Sequence, residues 1–157
     1  TADTKNHWEC QEKQLKQIAE WIVTNCGTRP VIFIGDTNCR YTRHNFESNF
    51  WKVLRTKDGL TYNDPWVEFQ WNGVYPEYGT KSLMVSDATG TNSSTDIICE
   101  NTQKGEVVDK IIYINNPDAA VQISANSYLR DYDRYNGLAD HMPIVVDFTY
   151  VKRISIK

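Results

Sequence analysis

The sequence contains no long hydrophobic run, because its longest unbroken apolar stretches span only four residues, as in residues 31–34. A membrane-spanning helix needs about 18 or more such residues, so the pattern argues against one. The sequence also lacks a Cys-x-x-Cys pair and any Cys/His spacing typical of zinc sites, so a structural zinc is not expected. Finally, 17 basic and 20 acidic residues leave a formal charge of −3, which does not indicate strong attraction to nucleic acid.

The length of 157 residues fits a single domain with room for a hydrophobic core. Its 40% hydrophobic and 24% charged residues are typical of globular proteins, and we find no internal repeat or linker. We therefore expect residues 1–157 to form one unit. Because the chain starts at Thr1 without a Met or an apolar leader, a start further upstream is left open.

The hydrophobic pattern predicts a mixed set of helices and strands. Apolar residues recur at three- and four-residue spacing over residues 8–24, which predicts an amphipathic helix that ends at Gly27. The run at residues 31–34 predicts a strand covered on both faces. A second helix is expected over 45–55, and further strands over 107–114, 121–125 and 144–151. For the aromatic residues between 66 and 78, core packing is the default interpretation, with a substrate platform or a membrane-touching loop as alternatives.

Three polar clusters each adjoin a strongly apolar strand, and each has a structural as well as a functional interpretation. Asp36 and Asn38 follow the first strand, where they could simply form a turn. Asp109 lies within the second and could pair with its neighbour Lys110. Asp140, with His141, precedes the last strand and could cap a turn. Singly, each cluster favours the structural interpretation, but the three together favour a functional site.

The residue types in these clusters suit phosphoester hydrolysis. Oxygen ligands from Asp36, Asn38 and Asp140 match Mg²⁺, which binds one or two carboxylates, several waters and phosphate oxygens. His141 and Asp109 then remain as a pair, in which the carboxylate orients the imidazole for proton transfer. A metal ion, an amide and an oriented His would together activate water and stabilise developing charge.

The order and spacing of the three blocks resemble a known superfamily. Residues 30–38 (PVIFIGDTN), 108–113 (VDKIIY) and 139–144 (ADHMPI) resemble the G-D-x-N, D-x-I-x-Y-like and S-D-H-x-P blocks of the endonuclease/exonuclease/phosphatase superfamily, which has the deoxyribonuclease I-like fold. The resemblance implies an α+β protein, a sandwich of two packed, mostly antiparallel sheets with outer helices. It also implies a metal-dependent phosphoric ester hydrolase.

The same resemblance implies a role for each residue. Asp36 would contact the metal and either the attacking water or the phosphate, and Asn38 would bind a phosphate oxygen. Asp109 would orient His141, which would contact the scissile phosphate or transfer a proton. Asp140 would ligate the metal, with Mg²⁺ expected and Mn²⁺ or Ca²⁺ as alternatives.

Two arginines follow the first block, and one residue of the third block differs from the superfamily pattern. Arg40 and Arg43 follow the first block, where bidentate phosphate contacts would help to bind substrate, although for each arginine taken singly a solvated loop is the favoured interpretation. Ala139 stands where the superfamily commonly has Ser. The substrate class stays open between a nuclease, a sphingomyelinase-like lipid phosphodiesterase, and a sugar or inositol phosphatase.

Several family elements have no counterpart in residues 1–157. The superfamily's first half supplies an Asn, a metal-binding Glu and a His in an H-x-D element, so this chain resembles the carboxyl-terminal half of the domain. We therefore expect it to be inactive alone, with the missing amino-terminal half as its partner. A sandwich sheet without its neighbour exposes an apolar face, so we expect the chain to dimerise, aggregate or copurify with that half. A non-catalytic interaction module that retains the fold is the rival hypothesis.

The cysteines bear on localisation. Cys39 and Cys99 lie where deoxyribonuclease I-like enzymes can carry a disulfide, and such a bridge would favour a secreted or periplasmic protein. Cys10 and Cys26 are too far apart along the first helix to pair with each other.

Overall fold

A computed structural model of the protein describes residues 5–42, 59–78, 102–106, 108–131 and 141–152, with side chains of the first helix from Glu9 onward. The elements, in chain order, are helix α1 (Lys5–Cys26), strands β1 (Val31–Asp36) and β2 (Thr61–Asn63), helix α2 (Pro65–Gln70), a 3-10 turn (Thr102–Lys104), and strands β3 (Asp109–Asn115), β4 (Val121–Ala125), β5 (Leu129–Arg130), β6 (Ile144–Val145) and β7 (Phe148–Lys152). None of the helices in these ranges is both long and apolar enough to cross a bilayer.

The described strands form three antiparallel groups. The largest is a three-stranded sheet in the order β1-β3-β2, and two pairs, β4-β7 and β5-β6, accompany it. Antiparallel sheets with few helices agree with the predicted α+β class. The helix predicted over 45–55 lies outside the described residues.

Helix α1 covers one face of the three-stranded sheet. Leu15, Ala19 and Ile22 recur at helical spacing and are buried against the sheet. The helix ends at Cys26, where Gly27 adopts the left-handed conformation with φ +57° and the Arg29 amide donates to the Cys26 carbonyl. The predicted helix and its glycine cap are therefore confirmed, with α1 longer by a few residues than the predicted span.

The prediction that β1 is covered on both faces is wrong for the described part of the chain. Burial alternates along β1, with Val31 and Phe33 packed towards the core while Ile32 and Ile34 are 37% and 69% exposed. The physical reason is that α1 covers one face only. A four-residue apolar run carries no alternation signal, so the sequence could not distinguish one covered face from two.

The strand pair β4-β7 contacts the three-stranded sheet, and the described contacts include a side-chain amide of β3 and a pair of aromatic rings. The side chain of Asn115, at the end of β3, donates from Nδ2 to the Ile123 carbonyl at 2.7 Å and accepts from the Ile123 amide at 3.0 Å. Tyr113 and Phe148 contact edge to face with ring centroids 5.8 Å apart. β3 and β4 match their predicted spans closely, whereas the predicted strand over 144–151 divides into β6 and β7.

Helix α2 is an element that the sequence reading missed. Asp64 caps it by accepting a hydrogen bond from the Trp66 amide at 2.9 Å, and Pro65 occupies its first position. An Asp followed by Pro is a known signal for a helix start, so the information was present in the sequence. The Gly and Pro residues around it favour short strands and loops, which is why the overall pattern does not indicate a helix there.

The aromatic residues of this region divide between core and surface. Trp66 is buried and stacks on Tyr41 with ring centroids 5.9 Å apart, and Tyr75 meets Tyr41 edge to face at 5.4 Å. Phe69 and Tyr78 are exposed. The core interpretation therefore holds for Trp66 and does not extend to the whole stretch.

A buried group of charged residues lies beneath these rings. Lys110 is only 3% exposed, and its Nζ lies 4.5 Å from the centre of the Tyr41 ring. Burial raises the pKa of the Asp64 and Glu106 carboxyl groups above their ordinary values, and attraction to the Lys110 ammonium opposes that rise. The Tyr41 hydroxyl donates to Asp64 Oδ2 at 2.7 Å, so rings and charges form one network.

This burial predicts a pH-dependent stability. The pKa of Asp64 is higher in the folded protein than in the unfolded chain, so its contribution is complete below the ordinary carboxyl pKa and is lost as pH rises through the folded-state value. In Asp64→Asn, which keeps a capping oxygen, we expect the unfolding free energy to fall less between pH 4 and pH 8 than in the unmodified chain. Urea unfolding followed by tryptophan fluorescence measures this. The exposed Asp118→Asn serves as the control, and equal slopes for both variants would contradict the prediction.

Candidate active site

Strand pairing brings two carboxylates together at one end of the sheet. In the antiparallel register of β1 with β3, Asp36 stands directly opposite Asp109. Directly opposed residues project from the same face with Cβ atoms about 5 Å apart, and like charges placed there repel. A neighbouring positive charge, either a cation or a protonated imidazole, would relieve that repulsion.

His141 lies against this pair. Its Nδ1 is 2.7 Å from Asp109 Oδ2, with the two side chains 32% and 23% exposed. An ionised carboxylate can only accept a hydrogen bond, so Nδ1 carries the proton and donates it. The bond fixes the ring orientation and the tautomer.

The backbone after β1 is shaped by side chains of the Gly-Asp-Thr-Asn motif. The Asn38 amide donates to Asp36 Oδ1 at 2.8 Å, and Asn38 adopts a left-handed conformation with φ +50°. The Thr37 amide and hydroxyl both donate to the Val108 carbonyl, at 3.1 and 2.8 Å. The turn proposed as a structural interpretation therefore exists, and it also holds Asp36 and Asn38 beside the start of β3.

The three side chains are close enough to hold one ion. Single ligand atoms of Asp36, Asp109 and His141 all lie within 4.8 Å of one another. Two carboxylates and an imidazole form a donor set that fits a divalent cation, Mg²⁺ or Mn²⁺ for the oxygens and Mn²⁺ more readily where nitrogen participates. The hydrogen bond between His141 and Asp109 occupies Nδ1 of His141 and Oδ2 of Asp109, and the Asn38 amide likewise occupies Oδ1 of Asp36.

A cleft of about 190 Å³ opens over these groups. Asp36, Asp109 and His141 supply its polar lining. Its apolar lining is formed by Ile34, Ile111, Met142 and Ile144. Polar and apolar side chains therefore line the same cleft.

The remaining sequence-predicted residues are distributed differently. Asn38 is exposed beside the cleft. Arg40 is half-buried, and its charge opposes the rise that burial causes in the pKa of the Glu106 carboxyl. Neither belongs to the lining of the described cleft. Arg43 and Asp140 lie outside the described residues, so their roles stay predictions.

The alternative pairing of Asp109 with Lys110 does not fit the strand geometry. Neighbouring residues in a strand project to opposite faces, and Asp109 faces the cleft while Lys110 is buried in the network on the other side. Thr37 and Glu106 are the supporting residues that sequence reasoning missed. Thr37 sits inside the recognised motif, whereas no local pattern marks Glu106.

The cysteine predictions have a partial outcome. Cys10 and Cys26 are free thiols, as their helical separation predicted. Cys39 is buried directly after the motif turn, and Cys99 lies outside the described residues, so a bridge between them stays a prediction.

The geometry defines a candidate acid–base site beside a candidate cation site. The amino-acid sequence of the chain is similar to those of sphingomyelinases. The chain is 27% identical over 142 residues to the sphingomyelinases of Mycobacterium bovis and Mycobacterium tuberculosis. The aligned region covers 87% of this chain and 24% of each relative, so the chain spans about a quarter of the length of the curated relatives it matches. No protein-family model matches the chain, and no solved structure matches it either.

The left-handed conformation of Asn38 allows the backbone role to be separated from the amide role. Because non-Gly residues other than Asn and Asp are strained there, Asn38→Ala should destabilise the fold by about 1 kcal/mol, and Asn38→Gly should stay within about 0.5 kcal/mol of the unmodified chain. Urea unfolding measures both values. A destabilisation by Gly as large as that by Ala would show that the side-chain amide, rather than φ, matters for stability.

Proposed function

We propose that the chain is part of a divalent-metal-dependent phosphoric ester hydrolase, of the phosphodiesterase kind. The observation that carries the proposal is the convergence of Asp36, Asp109 and His141 from three separate segments. The similarity to sphingomyelinases favours a lipid phosphodiesterase among the substrate classes that the sequence left open. Nuclease and sugar or inositol phosphatase activities are the outcomes that a substrate screen would reveal instead.

Each residue has a role that follows from its contacts. His141 is held by Asp109 and lines the cleft, where its imidazole can donate a proton to a leaving oxygen or hydrogen-bond a phosphate oxygen. Asp109 keeps the ring in one tautomer and stabilises its protonated form. Asn38, held next to Asp36, would supply an amide to a phosphate oxygen.

The metal would be held by Asp36 together with Asp140, as the sequence predicts. Bound there, it would polarise the phosphoryl oxygens and lower the pKa of the attacking water. Asp36 fits this role because one of its oxygens accepts from the Asn38 amide, which fixes the direction of the other. A cation bound by all three clustered residues is the second arrangement.

Hydrolysis of bis-p-nitrophenyl phosphate tests the proposal in the complete natural gene product that contains this chain. Turnover should require Mg²⁺ and stop with chelator. His141→Ala and Asp140→Asn should each lower kcat at least about 10³-fold, because proton transfer and charge stabilisation each contribute on that order.

The controls use residues remote from the cleft with matched chemistry. Asp118→Asn removes an exposed carboxylate and should leave kcat unchanged. Circular dichroism and urea unfolding confirm that each inactive variant is folded. Metal-independent turnover, or full turnover in both His141→Ala and Asp140→Asn, would refute the proposal. Absence of turnover in the unmodified protein would favour a non-catalytic module.

The proposal includes a second segment that covers the exposed face of the sheet. Ile32 and Ile34 leave an apolar strip that leads directly to Asp36, and no described element of the chain packs over Ile34. The missing amino-terminal half of the domain, expected to carry an Asn, a Glu and a further His, would bury this strip and complete the site. Secretion or a periplasmic location also belongs to this proposal.

An uncovered apolar strip should make the isolated chain associate. We expect a species larger than 18.2 kDa by size-exclusion chromatography with light scattering. Ile34→Thr, which preserves strand propensity, should shift the population towards monomer, and Val74→Thr, at an exposed apolar residue elsewhere, should not. A monodisperse monomer at 100 μM would contradict the expectation.

A further inference from the structure

Residues 103–106, here called the bridging segment, lie between the two parts of the candidate site. One part is the loop formed by residues 37–42, which follows Asp36 and contains Asn38. The other is the strand pair β5-β6, whose two strands come before and after His141 in the sequence. The bridging segment binds both through buried polar contacts.

Glu106 binds the loop. It is fully buried, its Oε1 accepts from the Tyr41 amide, and its Oε2 accepts from the Thr42 amide at 3.3 Å and the Thr42 hydroxyl at 2.6 Å. Both carboxylate oxygens are therefore used by adjacent residues of the same loop. The opposite end of the loop is held by Thr37 on the Val108 carbonyl, so the loop is fixed at both ends.

Gln103 binds the strand pair. Its amide group makes a two-way contact with the backbone of Arg130, accepting from the amide at 2.7 Å and donating to the carbonyl at 2.6 Å. The Arg130 guanidinium, itself 1% exposed, donates to the Gly105 carbonyl at 2.7 Å. Three hydrogen bonds thus join the bridging segment to β5.

The strand pair passes this restraint to His141. Arg130 of β5 pairs with Ile144 of β6, and the Asp131 amide donates to the Pro143 carbonyl at 2.9 Å. Pro143 is only two residues after His141. The position of the imidazole therefore depends on contacts that lead back to Gln103.

We infer that Glu106 and Gln103 are positioning residues, which set the placement of Asp36 and Asn38 relative to His141 without touching the substrate. The inference rests on the proposed function. A buried carboxylate is costly to desolvate, and Glu106 offsets that cost by accepting hydrogen bonds from two adjacent residues of the loop and by attraction to the Lys110 ammonium. A displacement of about 1 Å between reacting groups can lower a rate by about 100-fold, which gives such a restraint a functional effect.

Thr42 allows the loop restraint to be weakened by one hydroxyl. Thr42→Val removes the 2.6 Å bond to Glu106 at nearly constant volume, and Thr42→Ser retains the hydroxyl. In the complete gene product we expect Thr42→Val to lower kcat about tenfold with less than a threefold change in KM, and Thr42→Ser to stay within twofold of the unmodified protein. Thr24→Val, which removes a hydroxyl from the exposed side of α1, should leave both unchanged.

Gln103 allows the restraint on His141 to be tested without any turnover. Gln103→Glu keeps the size but replaces the donor to the Arg130 carbonyl with an acceptor, and Gln103→Asn keeps both groups on a shorter chain. We expect Gln103→Glu to weaken or remove the low-field proton resonance of His141 Nδ1–H, which reports the bond to Asp109. Amide hydrogen exchange should quicken at Arg130 in that variant and at residues 38–42 in Thr42→Val.

These measurements separate the two hypotheses. Absent turnover in the unmodified protein would refute the proposed function, while the Nδ1–H resonance and the exchange rates would still decide the positioning inference. An unchanged resonance in a folded Gln103→Glu protein would overturn the inference for Gln103. Equal kcat for Thr42→Val and Thr42→Ser, in an active protein, would overturn it for Glu106.

Discussion

The antiparallel register of β1 with β3 is the constraint on which the site depends. It places Asp36 opposite Asp109, and His141 then bonds to a carboxylate whose position this ladder already determines. Because the side-chain period of a strand is two, a slip of one residue would move either carboxylate to the opposite face and separate the pair. The long-range pairing therefore specifies the chemistry as well as the sheet.

The same alternation explains why a charged network lies directly behind the site. Asp109 and Lys110 are neighbours in β3, yet one faces the cleft and the other lies among Tyr41, Trp66 and the buried carboxylates. Glu106 of this network binds one end of the loop after β1 through Thr42, and the Thr37 contact with the Val108 carbonyl binds the other end. Polar groups in this low-dielectric interior are hydrogen-bonded and specific in geometry, which favours one loop conformation over many.

Sequence reasoning succeeded where the signal is local or follows an ordered motif. The period of α1 and its glycine cap were readable because both depend on residues within one or two turns. The pairing of His141 with Asp109 was predicted from chemistry and motif order, and the structure brings the two together. The sequence pattern did not indicate α2, although Asp64 and Pro65 are a local signal for a helix start. It also predicted the wrong number of covered faces for β1, because the exposure of a strand face depends on the segment that packs on it.

The amino-acid sequence by itself determined which reactive groups are present, the order in which they occur and the strands that carry them. The tertiary structure alone decided that Asp36 and Asp109 are directly opposed, that His141 Nδ1 lies 2.7 Å from Asp109, and that Glu106 and Gln103 bind the segments bearing these groups. The physical reason is that the hydrophobic periodicity of a segment shows only which of its own faces is apolar. Distances between side chains separated by 30 to 70 residues follow from strand register and from buried hydrogen bonds, which exist only after the segments pack.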